Sequence, residues 1–168
     1  RYIRETLEMT KPASPKYVFA RLKEKVENTL QMMAGELDPQ RFYVQMHFDA
    51  DADFVKMDPD QIRQVLYNLL KNSIYEMPDG GIVTISGRRH EEEIHLDVRD
   101  YGRGVPPDVV DQIFEPFFTT KATGSGIGLS LSSQIMKNHG GRLDYVHHDG
   151  PGATFRLVFP IPNLGGEL

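Results

Sequence analysis

The sequence predicts an α/β domain, and three observations predict it. Apolar residues recur every three or four positions in segments bounded by proline or glycine, the pattern of amphipathic helices. Between these segments lie short runs rich in β-branched and aromatic residues, one of which alternates strictly as Ile94, Leu96, Val98 against His95, Asp97, Arg99. The chain is 39% hydrophobic and 26% charged over 168 residues, a balance that supports one core and argues against wholesale disorder. A chain of this length buries roughly 70% of the surface its unfolded form exposes, so it needs no covalent staple.

Taken in order, Ile3 and Leu7 are an i, i+4 pair, so Arg1 to Thr10 reads as the last turns of a helix, broken by Lys11-Pro12-Ala13-Ser14-Pro15. Val18, Leu22, Val26 and Leu30, four apart, predict a helix that lasts to about Met33. Phe42 to Phe48 is rich in β-formers, and Phe54 to Met57 is its expected hairpin partner across the polar turn Asp49 to Asp53. Asp58-Pro59 is a helix start, with a capping carboxylate and proline in the first turn, and Ile62, Val65, Leu66, Leu69 and Leu70 share one face of the helix that follows. Pro78-Asp79-Gly80-Gly81 stops it. Strands at Ile82 to Gly87 and Ile94 to Arg99 come next. A glycine-proline loop, a phenylalanine-rich stretch and a second glycine loop lead to a helix from about Gly128 to His139, then to strands at about Arg142 to His147 and Thr154 to Phe159. The segment from Pro160 to Gly166 reads as a loose tail, and no repeat is present.

Several function classes are disfavoured at once. The chain has no cysteine, which removes disulfides, thiol nucleophiles and thiolate metal sites. No apolar run approaches the 18 or so residues of a spanning helix. The chain opens on Arg1 without a basic-then-apolar leader and reads as a piece of something longer. Its net charge of -5, with basic residues scattered and Arg88-Arg89 followed by Glu91-Glu92-Glu93, argues against a nucleic-acid partner. His90 and His95 are five apart in a strand-like region and do not make a zinc motif, His147-His148 has no nearby acid, and no Gly-x-Ser-x-Gly elbow occurs.

Chemistry is concentrated in three places. Asn68 and Asn72 are four apart and so project from one side of their helix, either as surface amides or as oxygen ligands for a hard cation such as Mg²⁺. Extending the alternation of Ile94, Leu96 and Val98 brings Asp100 to the inward face, where a carboxylate needs partners. It either caps a surface turn or meets a planar ligand in the space that Gly102 and Gly104 leave beside the backbone. Gly124-Ser125-Gly126-Ile127-Gly128 runs into the helical pattern at Leu129 and offers N–H groups and a positive dipole end to an anion. By itself a glycine run of this kind is weak evidence. Lys121, just upstream, is a mobile cation that either joins such a site or is merely solvated. Phe114, Phe117 and Phe118 read most simply as core aromatics.

The order of these pieces is more specific than any of them. Asn68-Leu69-Leu70-Lys71-Asn72-Ser73, Asp100-Tyr101-Gly102-Arg103-Gly104, Phe114-Glu115-Pro116-Phe117-Phe118 and Gly124-Ser125-Gly126-Ile127-Gly128-Leu129 resemble the asparagine, first glycine, phenylalanine and second glycine boxes of sensor histidine kinases. The resemblance covers about Ser14 to Pro162, including His139-Gly140-Gly141 and Gly152 to Phe155, and Met77-Pro78-Asp79-Gly80-Gly81 is similar to the nitrogen-regulation type. It implies a two-layer α/β sandwich of the Bergerat type, shared with gyrase and heat-shock chaperone ATPases, with a mixed, mostly antiparallel sheet and helices on one face. It divides the chain into the end of a dimerization helix and linker (residues 1–13), a catalytic and ATP-binding domain (14–162) and a tail (163–168).

The same resemblance implies ATP and Mg²⁺ as ligands. Asp100 would accept from the adenine amino group, Asn72 would coordinate Mg²⁺ and Asn68 would line the same site as a second catalytic position. Gly102, Gly104, Lys121, Gly124, Ser125, Gly126, Ile127, Gly128 and Leu129 would surround the nucleotide, with Phe114 to Gly124 as a brief lid. The expected activity is transfer of the γ-phosphoryl group to a histidine on a separate dimerization domain, for relay to the aspartate of a response regulator. None of the six histidines here lies in such a helix. Binding partners would be ATP and ADP, the dimerization and phosphoacceptor domain and a response regulator receiver domain. A homodimer would form through the missing helices, in the cytoplasm or as the cytoplasmic part of a membrane sensor.

Two departures from the family pattern stand out. Ala153 occupies the place of a threonine that supports the adenine aspartate, with Thr154 on the other face, and Tyr75-Glu76 stands where a basic residue and a tyrosine are common. Hydrolytic relatives place a glutamate four residues before the metal asparagine; here that residue is Asn68, which cannot act as a base. The rival readings are a related ATPase of the same fold and a non-catalytic docking module.

Overall fold

The computed structural model describes residues 14–121 and 126–162. Expectations for residues 1–13 and 163–168, and for Gly124 and Ser125, lie outside the described residues.

The elements run β1 (Val18–Arg21), α1 (Leu22–Met32), β2 (Phe42–Phe48), β3 (Phe54–Met57), α2 (Pro59–Glu76), β4 (Gly81–His90), β5 (Glu93–Asp100), a 3₁₀ turn (Val110–Gln112), α3 (Gly128–Asn138), β6 (Arg142–Val146) and β7 (Thr154–Pro160). Five strands form one sheet in the order β2-β4-β5-β7-β6, antiparallel except for the β2–β4 pair. Its inner face carries Val83, Ile85, Ile94, Leu96, Val98, Leu143, Phe155, Leu157 and Phe159, all buried. Against it pack the apolar faces of the helices, chiefly Ile62, Val65, Leu66 and Leu69 of α2 and Ile135 and Met136 of α3. The outer face is polar, as a sheet covered on one side should be. There Arg156 grips Asp97 bidentately at 2.7 and 2.9 Å.

Two local expectations are corrected. Val18 does not begin a helix; residues 18–21 are a strand, and Val18 is exposed. Phe54 to Met57 does not pair with Phe42 to Phe48 but with β1, antiparallel, in a separate two-stranded sheet with Val18 opposite Met57. The reason is a helix end that cannot cap itself. Arg21 precedes α1 and provides no side-chain acceptor, so the first N–H groups go to a distant aspartate: Leu22 N–H to the Asp53 carbonyl at 2.6 Å and Lys23 N–H to Asp53 Oδ1 at 2.8 Å. That cap carries the chain before β3 to the start of α1, and β3 aligns with β1 rather than folding back on β2. By contrast, the cap of α2 is local, as predicted: Asp58 Oδ1 accepts from Asp60 N–H at 3.0 Å and Gln61 N–H at 3.2 Å.

A buried histidine ties these ends together. His139 Nδ1–H donates to the Ile135 carbonyl at 2.8 Å, which leaves Nε2 to accept from Asp58 N–H at 3.0 Å. Tyr17 packs edge-on against the ring at 5.1 Å, and Lys16 N–H donates to Asp58 Oδ2 at 2.8 Å. Burial holds the His139 pKa below its usual value, against the pull of the Ile135 carbonyl and of Asp58. Because the folded pKa is depressed, the neutral ring's stabilisation is present above the unfolded pKa and is lost as pH falls through the folded one. Urea unfolding from about pH 7.5 to about pH 5.5 should therefore show falling stability, and His139→Gln should flatten that slope. An unchanged slope in the variant would assign the acid sensitivity elsewhere.

Candidate functional site

Asp100 ends β5 on its inner face, opposite Val83, and is 2% exposed. Its Oδ1 accepts from Gly102 N–H at 3.0 Å and Ala153 N–H at 3.2 Å, while its own N–H donates to the Ala153 carbonyl at 3.0 Å. Burial pushes its pKa up, opposed by those two N–H groups, and Glu76 adds to the rise. The nearby Ser73 hydroxyl on α2 lowers it as well, while donating to the Leu69 carbonyl at 3.2 Å. Ala153 therefore serves through its backbone. Thr154, paired with Arg99, is on the opposite side of the sheet, as alternation predicted.

The loop after Asp100 is held by the end of α2. Arg103 Nε–H donates to Glu76 Oε2 at 3.2 Å and its guanidinium to the Tyr75 carbonyl at 3.3 Å. Gly102 lies so close to the Glu76 carbonyl that an added Cβ would sit 2.5 Å from its oxygen, and Gly104 abuts the Gly152 carbonyl. Tyr75-Glu76 thus gathers cations from elsewhere in the chain. Both Arg103 and Lys121 lie over the Tyr75 ring, at 5.4 and 4.7 Å from its centre.

The two asparagines of α2 do different work. Asn68 Nδ2–H donates to the Gly128 carbonyl at 3.3 Å and to Ser132 Oγ at 3.2 Å, which clamps the first turns of α3 onto α2. A carboxylate at this position would face those oxygens without a proton to give. Asn72 Oδ1 instead accepts from the Lys121 ammonium. Burial lowers the Lys121 pKa, as does Arg103, and the carboxylates of Glu76 and Asp100 raise it.

Gly126, at φ +72°, has the left-handed backbone that glycine tolerates, and its carbonyl accepts from Phe117 N–H at 2.9 Å. Ile127 precedes α3 and its carbonyl accepts from Leu131 N–H at 2.9 Å and the Ser130 hydroxyl at 2.9 Å; Gly128 opens the helix beside Asn68, and Leu129 packs on the core. Of the three phenylalanines, Phe114 and Phe118 pack against the core. Phe117 does not: it is 63% exposed with φ +68°, because its backbone is committed to Gly126. The structure thus brings Asn68, Asn72, Lys121, Gly126, Ile127 and Gly128 to one side of α2 and places Asp100, Gly102 and Gly104 at its C-terminal end. Ser73, Tyr75 and the Glu76–Arg103 pair were not picked out as site residues from the sequence; only the departure at residues 75 and 76 marked them.

A helix-backed sheet with a buried carboxylate at a strand end, an asparagine-bearing helix above it and a glycine-rich helix entry defines a nucleotide-binding α/β sandwich. The chain belongs to the family described as histidine kinase-, DNA gyrase B-, and HSP90-like ATPases, whose profile matches residues 57–163. It is 31% identical over 163 residues to the sensor histidine kinase ZraS of Escherichia coli (strain K12), covering 96% of this chain and 35% of that protein. Sporulation kinase A of Bacillus subtilis (strain 168) is 32% identical over 142 residues, 84% of this chain and 23% of that protein. The chain thus spans about a third or less of the curated relatives it matches. Among solved structures, the nucleotide-free catalytic domain of the histidine kinase ThkA superposes with TM-score 0.78 at 26% identity, over 86% of this chain and 95% of that one.

Proposed function

We propose that this domain binds ATP with Mg²⁺ and presents its γ-phosphoryl group to a histidine on a separate dimerization domain of the sensor kinase type, for relay to a response regulator. The observation that carries the reading is the buried Asp100 carboxylate, fixed by two backbone N–H groups, together with an asparagine oxygen that already holds a cation. Asp100 is oriented to accept from an amino group such as that of adenine, and Asn72 Oδ1 is the oxygen donor a hard cation prefers. When bound, Mg²⁺ supplies charge neutralisation for the transferring phosphoryl group. The chain's own residues do the rest. Asp100 and the Gly102–Gly104 loop orient the base, and Asn68 holds the N-terminal turn of α3 where its N–H groups and dipole favour phosphate.

Transfer rather than hydrolysis is favoured by Asn68, whose amide donates and cannot activate water. Phosphoryl transfer depends on positioning and charge, so the domain without its acceptor turns over slowly. Dimerization through helices outside this domain, a receiver-domain partner, kinship with the nitrogen-regulation type and a cytoplasmic setting all belong to this proposal. Among the described residues no helix is long and apolar enough to cross a membrane.

The test is calorimetric titration with a non-hydrolysable ATP analogue, with and without Mg²⁺. One-to-one binding enhanced by the metal is expected, and Asn72→Ala should lose most of that enhancement, roughly tenfold for one charge-assisted contact. Equal affinity with and without metal in the parent would remove the Asn72 assignment. No binding by a folded sample would favour the docking module.

A further inference from the structure

Lys121 occupies the oxygen that the metal of the proposed reaction needs. Its ammonium donates to Asn72 Oδ1 and lies 4.7 Å from the centre of the Tyr75 ring, so it is held by a charge-assisted hydrogen bond and a cation–π contact at once. The neighbouring acid, Glu76, is already paired with Arg103 at 3.2 Å.

We propose that Lys121 competes with the divalent cation for Asn72 Oδ1, and that this competition makes the site discriminate nucleoside triphosphate from diphosphate. The inference rests on the MgATP reading above. Two cations cannot share one amide oxygen at contact distance, since their repulsion is only weakly screened in a half-buried site. Metal loading therefore expels the ammonium and forfeits both of its contacts. With Glu76 engaged by Arg103, and Asp100 buried and bonded to two backbone N–H groups, the displaced charge finds its compensation on the ligand. A triphosphate provides a terminal phosphoryl group and an added negative charge for it, and a diphosphate does not. Lys121 thus penalises the metal-diphosphate complex and spares the metal-triphosphate complex, which weakens retention of the product of transfer.

The deciding experiment compares the parent and Lys121→Met by calorimetry, with ADP and with a non-hydrolysable ATP analogue, across a series of Mg²⁺ concentrations. Lys121→Met should bind ADP in Mg²⁺ about tenfold more tightly than the parent, with a comparable drop in the Mg²⁺ concentration at half-effect. Its affinity for the triphosphate analogue should fall or stay level, so that the preference for triphosphate collapses. Tyr75→Leu, which removes only the ring contact, should shift ADP binding in the same direction by about threefold. The proposal is overturned if Mg²⁺ strengthens binding to the parent while Lys121→Met binds ADP with equal or lower affinity. Absence of any Mg²⁺ effect in the parent is a different result: it removes the metal reading itself and this inference with it.

Discussion

Asp100→Asn should bind adenine nucleotides about a hundredfold more weakly than the parent and yet unfold at a higher temperature. The loss follows from which oxygen is already engaged. Oδ1 accepts from the Gly102 and Ala153 N–H groups, and an asparagine oxygen can take over both bonds. Its amide NH₂ is then turned toward the ligand, donor against donor, where a charged acceptor stood; hydrogen bonds to charged groups contribute about 1.5–3 kcal/mol and an opposed pair costs more. The stability gain has the opposite origin. Burial raises the Asp100 pKa, so the carboxylate's contribution to stability is greatest below its unfolded pKa and is lost as pH rises through the folded one. At neutral pH the empty domain bears that loss, and asparagine removes it. Parallel melting curves and titrations check both halves. A variant that loses stability and keeps nucleotide affinity would show that Asp100 is a structural cap and not a ligand.

Gly152→Ala should be the most destabilising single methyl addition near the site, costing about 3–5 kcal/mol. Residue 152 has φ +92°, and a Cβ there would lie 1.9 Å from the Asp100 carbonyl oxygen and 2.8 Å from Tyr101 Cα. Neither neighbour is a flexible side chain that can swing away, because Asp100 is hydrogen-bonded to Ala153 through its N–H and through Oδ1. Gly150 provides the control: it has φ +94° with nothing within 4 Å of an added Cβ. Gly150→Ala should show only the dihedral cost, about 1–2 kcal/mol. Urea unfolding of the two variants separates clash from backbone strain. Equal destabilisation would mean that the close approach of Gly152 to the end of β5 contributes nothing.

Much of this was legible in the sequence where the physics is local. Asp58-Pro59 capped its helix as written, the Ile94-Leu96-Val98 alternation carried Asp100 to the inner face, and the asparagine and glycine boxes contain Asn68, Gly102 and Gly128, which meet at α2. What failed was long-range. Val18 fits a four-residue helical spacing, but the start of α1 is decided by an aspartate 30 or so residues away, which no periodicity reveals. Phe117 looks like core beside Phe114 and Phe118; its side chain is exposed because its backbone answers Gly126. The missing threonine at Ala153 left the support of Asp100 open, and the answer is the backbone N–H of Gly102 and of Ala153 itself. That contact depends on how the segment before β7 lies beside the end of β5, and that is tertiary information. The same holds for Tyr75, whose ring gathers Arg103 and Lys121 from two other segments.

The central claim is that a carboxylate reads an adenine amino group in this cleft, and the base preference of the parent protein tests it most directly. Titration with non-hydrolysable analogues of ATP and of GTP in Mg²⁺ should give one-to-one binding of the adenine nucleotide and binding weaker by about a hundredfold for the guanine nucleotide, whose carbonyl oxygen would face Asp100 in place of a donor. Equal affinity for the two would contradict the account.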